Sequence, residues 1–181
     1  MPNLITLLRI LIAPVFFTTL LYYEPQKDYL RFWAFGLFLL ASITDALDGL
    51  VARLMKESTR LGRILDPLAD KLVLLSGYIG ILFAKDFPIL PPLWIIVAIA
   101  FRDVVIVGGL GVLYFSGAPA DVRPNLLGKF TTGFQMATLL SILLLLPISP
   151  LLWYLTASFT VLSGFVYVLR EMKRLRNKTH L

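Results

Sequence analysis

Apolar residues run through this chain in six long blocks separated by short polar breaks, at about Leu4–Tyr23, Leu30–Leu50, Ile64–Ala84, Pro92–Phe115, Leu126–Leu146 and Leu151–Leu169. Each block is close to the roughly 20 residues an α-helix needs to cross a bilayer core. The breaks are short, so neighbouring helices are expected to pack antiparallel. Because the blocks are apolar all round, periodicity predicts the helices without predicting their rotation. The expected fold is therefore all-α, a polytopic membrane helical bundle with six transmembrane helices. One domain covers residues 1–181, with no internal repeat or low-complexity run.

Composition agrees with lipid as the solvent. Of 181 residues, 58% are hydrophobic, and the mean hydropathy is +0.82. The net charge of +6 comes from basic residues beside apolar spans, which suits anionic lipid headgroups rather than nucleic acid. With no cysteine, disulfides are excluded. The opening Met1-Pro2-Asn3-Leu4 has no basic leader or cleavage site and reads as a retained first span. Orientation follows from Lys and Arg. One side would hold Arg53, Lys56, Arg60 and Arg63, then Arg123 and Lys129, then Arg170, Lys173, Arg174, Arg176 and Lys178. The other holds Lys27, Arg31 and Lys85, offset by Glu24, Asp28 and Asp86. Both termini are thus predicted to be cytoplasmic in a cell inner membrane.

Against that background four carboxylates stand out: Asp45, Asp48, Asp66 and Asp70, at the end of the second block and the start of the third. Charge in a bilayer is costly, so an intramembrane ionisable residue is a functional-site hypothesis. A lone Asp-Gly would read as a turn, but the spacing here is helical. At about 100° per residue, Asp45, Asp48, Gly49, Ala52 and Arg53 share one side of a helix, and Gly62, Asp66 and Asp70 share one side of the next. Crowded carboxylates repel unless protons or cations intervene. Neither His nor Cys lies among them, and hard oxygen ligands suit Mg²⁺ or Mn²⁺. Two ions so held would clamp a diphosphate. Gly49 and Gly62 would admit a ligand close to the backbone, and Arg53 would pair with a phosphate. The cluster would lie near the cytoplasmic face.

These residues spell Asp-x2-Asp-Gly-x2-Ala-Arg-x8-Gly-x3-Asp-x3-Asp, which resembles the signature of the CDP-alcohol phosphotransferase (CDP-alcohol phosphatidyltransferase class I) family at every fixed position. The resemblance implies a divalent-metal-dependent transferase that moves a substituted phosphate from a CDP-linked donor such as CDP-diacylglycerol to an alcohol, releasing CMP. It implies Asp45, Asp48 and Asp66 as metal ligands, with Asp70 sharing an ion and serving as general base. It also implies a CDP site of Asp45, Gly49, Ala52, Arg53 and Gly62, and a homodimer.

Acceptor contacts are expected from Arg102, Arg123 and Lys129. Arg102 precedes Asp103 within the fourth block, where the two would either neutralise each other at the interface or face the acidic cluster. Arg123 and Lys129 flank a helix start, a natural anion site. Phosphatidylglycerophosphate synthases of the family usually carry a second Arg two turns after the first and a second Lys in the fifth span. This chain has Leu110 and Thr131 there. Fewer cations fit a singly charged phosphodiester better than a phosphomonoester, so the departures resemble the cardiolipin synthase branch, whose acceptor is phosphatidylglycerol. Glycerol 3-phosphate is the alternative, with inositol phosphates third. Arg9 is expected to snorkel to the cytoplasmic interface, with a role near the nucleotide as the alternative. Gly108, Gly109 and Gly111 would permit close packing in a dimer. A small cation carrier and a membrane prenyltransferase are the competing classes. The one-sided acid cluster and absence of an inverted repeat argue against the carrier, and competition by CMP would distinguish the prenyltransferase.

Overall fold

The apolar blocks fold as helices in the computed structural model, which describes residues 2–55, 62–115 and 126–178, with side chains at 48–67 among those outside the description. The helices are α1 (Pro2–Leu21), α2 (Tyr29–Met55), α3 (Gly62–Phe83), α4 (Leu93–Phe115), α5 (Leu126–Leu143) and α6 (Ser149–Lys178). A 3-10 turn, Pro25–Lys27, lies between α1 and α2. No strand occurs among the described residues. The all-α reading holds. Three stretches, Tyr29–Leu47, Leu126–Leu143 and Ser149–Tyr167, are long and apolar enough to cross a membrane among the described residues.

Several boundaries differ from the apolar blocks, each for a local reason. α2 continues past Leu50 to Met55, because Ala, Leu, Arg and Met are good helix formers. α6 continues past Leu169 to Lys178 for the same reason: Arg, Glu, Met and Lys end an apolar run without ending a helix. α5 stops at Leu143 rather than Leu146. There Leu146 N–H donates to the Ser141 carbonyl at 2.8 Å and Leu145 N–H to that of Ile142 at 3.0 Å, with Leu145 in the left-handed region at φ 53°. This is a Schellman termination, and Pro147 follows it.

The chain divides into two compact units. One comprises residues 1–90 with 139–147, the other 91–138 with 148–181. In the first, α1 is the central element, packing on both α2 and α3, which touch each other far less among the described residues. Its inward stripe of Thr6, Arg9, Ile12, Ala13, Phe16 and Leu20 is buried, whereas Leu7, Leu8, Leu11 and Val15 are exposed, as helical spacing requires. α3 approaches α1 through glycine. A Cβ at Gly80 would lie 2.9 Å from Leu20 Cβ, and one at Gly77 would lie 2.8 Å from the Phe16 ring. Arg31 fastens the α2 start. Its Nε and Nη2 donate to the two Asp28 oxygens at 2.7 Å each, and Nη1 donates to the Leu143 carbonyl at 2.8 Å. A cation there also satisfies an open carbonyl at the α5 C-terminus.

The second unit has an interior of a different kind. α4 packs on α6, with Ile95, Ile96 and Ile99 buried. Beside these, Arg102, Asp103, Thr131, Gln135, Thr138, Ser149, Thr156, Thr160 and Ser163 are all buried. The Thr138 and Thr156 hydroxyls bond at 2.8 Å. Apolar side chains such as Leu93, Val97, Phe101 and Val104 on α4 and Val161, Leu162 and Phe165 on α6 lie outside. Polar inside and apolar outside is the pattern of helices associating in lipid, where tails supply no hydrophobic drive between helices. Short connections led to chain neighbours as packing partners. Among the described residues the principal pairs are instead α1 with α3 and α4 with α6, alongside α1 with α2.

Candidate active site

The first and last carboxylates of the acidic motif meet at a third residue. Asp45, on α2, accepts from Arg9 Nη1 at 2.7 Å, and Asp70, on α3, accepts from the same nitrogen. Arg9 comes from α1 and is 1% exposed, whereas the side chains of Asp45 and Asp70 are 43% and 33% exposed. The guanidinium is therefore sealed beneath two carboxylates that remain open on their outer side. An unpaired buried guanidinium would be strongly unfavourable; the two acids remove most of that cost.

Arg9 corrects the expectation that it snorkels to the interface. It lies on the buried stripe of α1, one turn after Thr6 and one before Ile12 and Ala13, so its direction is fixed by the face that packs on α2 and α3. The sequence placed the two acidic faces against each other; the first helix sits where they converge. The only sequence signal for this was a cation in an apolar run spaced like the surrounding core positions.

The remaining motif residues occupy unbroken helix. Asp48, Gly49, Ala52 and Arg53 belong to α2, and Gly62 and Asp66 to α3, which keeps the helical spacing on which the motif depends. Their side chains lie outside the described residues. Arg123 also lies outside them. Lys129 is exposed in the first turns of α5. Arg102 is buried at 7% exposure within the second unit. Its Nη1 donates to Asp103 at 2.7 Å and its Nη2 to Ser163 Oγ at 3.1 Å. Gly164 on α6 and Gly128 on α5 border it, with built Cβ positions 3.7 Å from its Cγ and 3.5 Å from its Nη2. The Arg102-Asp103 pair is thus interior rather than interfacial. A groove of about 440 Å³ opens elsewhere, lined by Pro14, Val15, Thr18, Thr19, Tyr22 and Leu30; it is mainly apolar and touches none of the acidic residues.

The donor set suits a hard divalent cation. The two described carboxylates come from different helices yet already converge on one cationic nitrogen, so a position where positive charge is held by both exists. Every acidic motif donor is oxygen, as Mg²⁺ or Mn²⁺ requires. Among the described residues no group of three or more acidic, His or Cys side chains forms a complete metal shell. Asp48 and Asp66, the other two motif carboxylates, are outside that set.

Comparison with known proteins fits this arrangement. The model of the CDP-alcohol phosphatidyltransferase family matches residues 1–165. A CDP-diacylglycerol–glycerol-3-phosphate 3-phosphatidyltransferase of Bacillus subtilis is 32% identical over 193 aligned positions, covering 97% of each chain. A protein of the same name from Cereibacter sphaeroides is 37% identical, the alignment covering 76% of this chain and 60% of that one. A probable cardiolipin synthase (CMP-forming) of Drosophila melanogaster is 32% identical, over 94% of this chain and 57% of its own length. The chain belongs to the CDP-alcohol phosphatidyltransferase family. That family comprises membrane transferases of phospholipid biosynthesis that are generally divalent-metal dependent, and the carrier and prenyltransferase readings give way to it.

Proposed function

We propose that this protein transfers the phosphatidyl group of CDP-diacylglycerol to the hydroxyl of a glycerol-type alcohol and releases CMP. The observation that carries the site is the convergence of Asp45 and Asp70 from two helices on one position. Asp45, Asp48, Asp66 and Asp70 would hold two Mg²⁺ or Mn²⁺ ions, which when bound neutralise the diphosphate and the leaving oxygen of CMP. Gly49, Ala52, Arg53 and Gly62 bind the CDP part together with Asp45, and Arg53 pairs with phosphate oxygen. Asp70 takes the proton of the acceptor hydroxyl. The acceptor oxygen forms a new bond to the phosphatidyl phosphorus, the bond from that phosphorus to the CMP oxygen breaks, and CMP leaves with its electron pair. The diacylglycerol moiety stays in the bilayer throughout.

For the acceptor, phosphatidylglycerol is the favoured reading, making the product cardiolipin. Thr131 stands where a second Lys would serve a phosphomonoester. Its buried hydroxyl lies 2.8 Å from the Leu127 carbonyl and 3.1 Å from that of Phe159, so it adds no charge. Glycerol 3-phosphate is supported by the names of the Bacillus and Cereibacter relatives and fits equally well. Arg102, Arg123 and Lys129 are the acceptor contacts in either case. The enzyme acts as a homodimer, one domain over residues 1–181. Six helices span the inner membrane, with both termini and the active site cytoplasmic. Purified protein offered CDP-diacylglycerol with each acceptor, products resolved by mass, tests this. Cardiolipin is expected from phosphatidylglycerol. Phosphatidylglycerophosphate alone would transfer the assignment to the other acceptor, and neither product would overturn the activity.

A further inference from the structure

We infer that Arg9 is an internal stand-in for the divalent cation, occupying Asp45 and Asp70 when no metal is bound and yielding them when it arrives. The inference rests on the proposed metal site and adds a residue that the acidic motif does not contain. Three observations carry it. Arg9 reaches both acids through a single nitrogen, Nη1, so both carboxylates are directed at one point of positive charge rather than being held separately. Arg9 is 1% exposed while both acids keep a third or more of their side-chain surface, so an ion can reach the carboxylates although the guanidinium itself is buried. The three residues come from α1, α2 and α3, and α1 packs on both partners. The pairing therefore ties the two acid-bearing helices to α1.

Charge decides the direction of the effect. Two carboxylates brought together repel, and a cation between them relieves that repulsion; Arg9 and a divalent ion relieve the same repulsion and so compete. An ion drawn to these carboxylates competes with the guanidinium for their charge.

The test is metal binding rather than turnover. Mn²⁺ affinity is measured by isothermal titration on detergent-purified wild type, Arg9→Gln and Arg9→Lys, with thermal unfolding recorded in EDTA and in Mn²⁺. Arg9→Gln should unfold earlier in EDTA, bind Mn²⁺ at least several-fold more tightly, and gain a larger rise in Tm from the ion than wild type. Arg9→Lys, which keeps the charge, should lie between them. In wild type, phenylglyoxal should modify Arg9 faster in Mn²⁺ than in EDTA, read by peptide mass; this arm stands even where Arg9→Gln does not fold. Unchanged or weaker Mn²⁺ binding in folded Arg9→Gln, or equal labelling in both conditions, would overturn the stand-in role while leaving the metal site intact. Wild type that binds no Mn²⁺ would overturn the metal site itself, and this inference with it.

Discussion

Asp70 accepts from the Arg9 guanidinium and, as the proposed base, would take the proton of the acceptor hydroxyl. Replacing it by Asn keeps the shape and removes the basic oxygen. Asp70→Asn should therefore retain binding of the CDP donor and lose about 10²–10⁴-fold in turnover, the usual contribution of general acid–base catalysis. Donor binding by titration and CMP release measured on the same preparation check it; retained turnover would remove Asp70 as the base. At this scale the sequence revealed the acids and hid their partner. Asp45 and Asp70 were legible because carboxylates are expensive in lipid and their spacing is helical. Arg9 was not, since a single cation near a helix start has a cheap alternative in snorkelling, and only the packing of α1 against two other helices directs it inward.

Helices meet here through small residues, and an ionic clasp fastens the start of α2. α3 lies against α1 where Gly80 faces the Leu20 Cβ. That atom is fixed to the backbone, so an added methyl group can be accommodated only by moving a helix. Gly80→Ala should destabilise the protein by about 1–3 kcal/mol, the usual cost of overpacking, seen as a lower unfolding temperature in detergent; an unchanged midpoint would contradict so close an approach. The clasp is Asp28 with Arg31, and hydrogen bonding from that guanidinium holds the Asp28 carboxyl below its usual range. A depressed carboxylate stabilises the fold above its unfolded pKa and loses that contribution as pH falls through the folded value. Wild type should therefore lose stability in acid, below the ordinary Asp range, by more than Asp28→Asn does. The effect is small because Asp28 is well exposed. A difference between the two that does not change with pH would contradict it. Helix existence was plain from the apolar blocks; helix partners were not, because stretches apolar all round carry no information about which face turns inward. The polar seam of α5 and α6, from Thr131 to Ser163, was equally hidden among residues that hydropathy averages away.

For the molecule as a whole, the proposed orientation makes the acids accessible to a cytoplasmic nucleotide while the lipid moieties remain in the membrane. The absence of native cysteine permits a direct check. Lys85→Cys and Lys178→Cys, labelled in intact cells by a membrane-impermeant maleimide, should react and remain unlabelled respectively; the reverse pattern would invert the topology. The overall class was legible because a 26-residue motif and a helical layout coincide in one short chain, whereas the acceptor depends on a few side chains whose charge, rather than whose position, distinguishes two close reactions. The central claim is that carboxylates from α2 and α3 gather cations to cleave a CDP-linked diphosphate, and stoichiometric CMP release tests it most directly. With CDP-diacylglycerol and phosphatidylglycerol, wild type should release one CMP for each cardiolipin formed, stop in EDTA, and recover with Mg²⁺ or Mn²⁺, while Asp45→Asn should remain impaired after metal is restored. CMP released at an undiminished rate in EDTA, or an Asp45→Asn enzyme as active as wild type, would contradict the account.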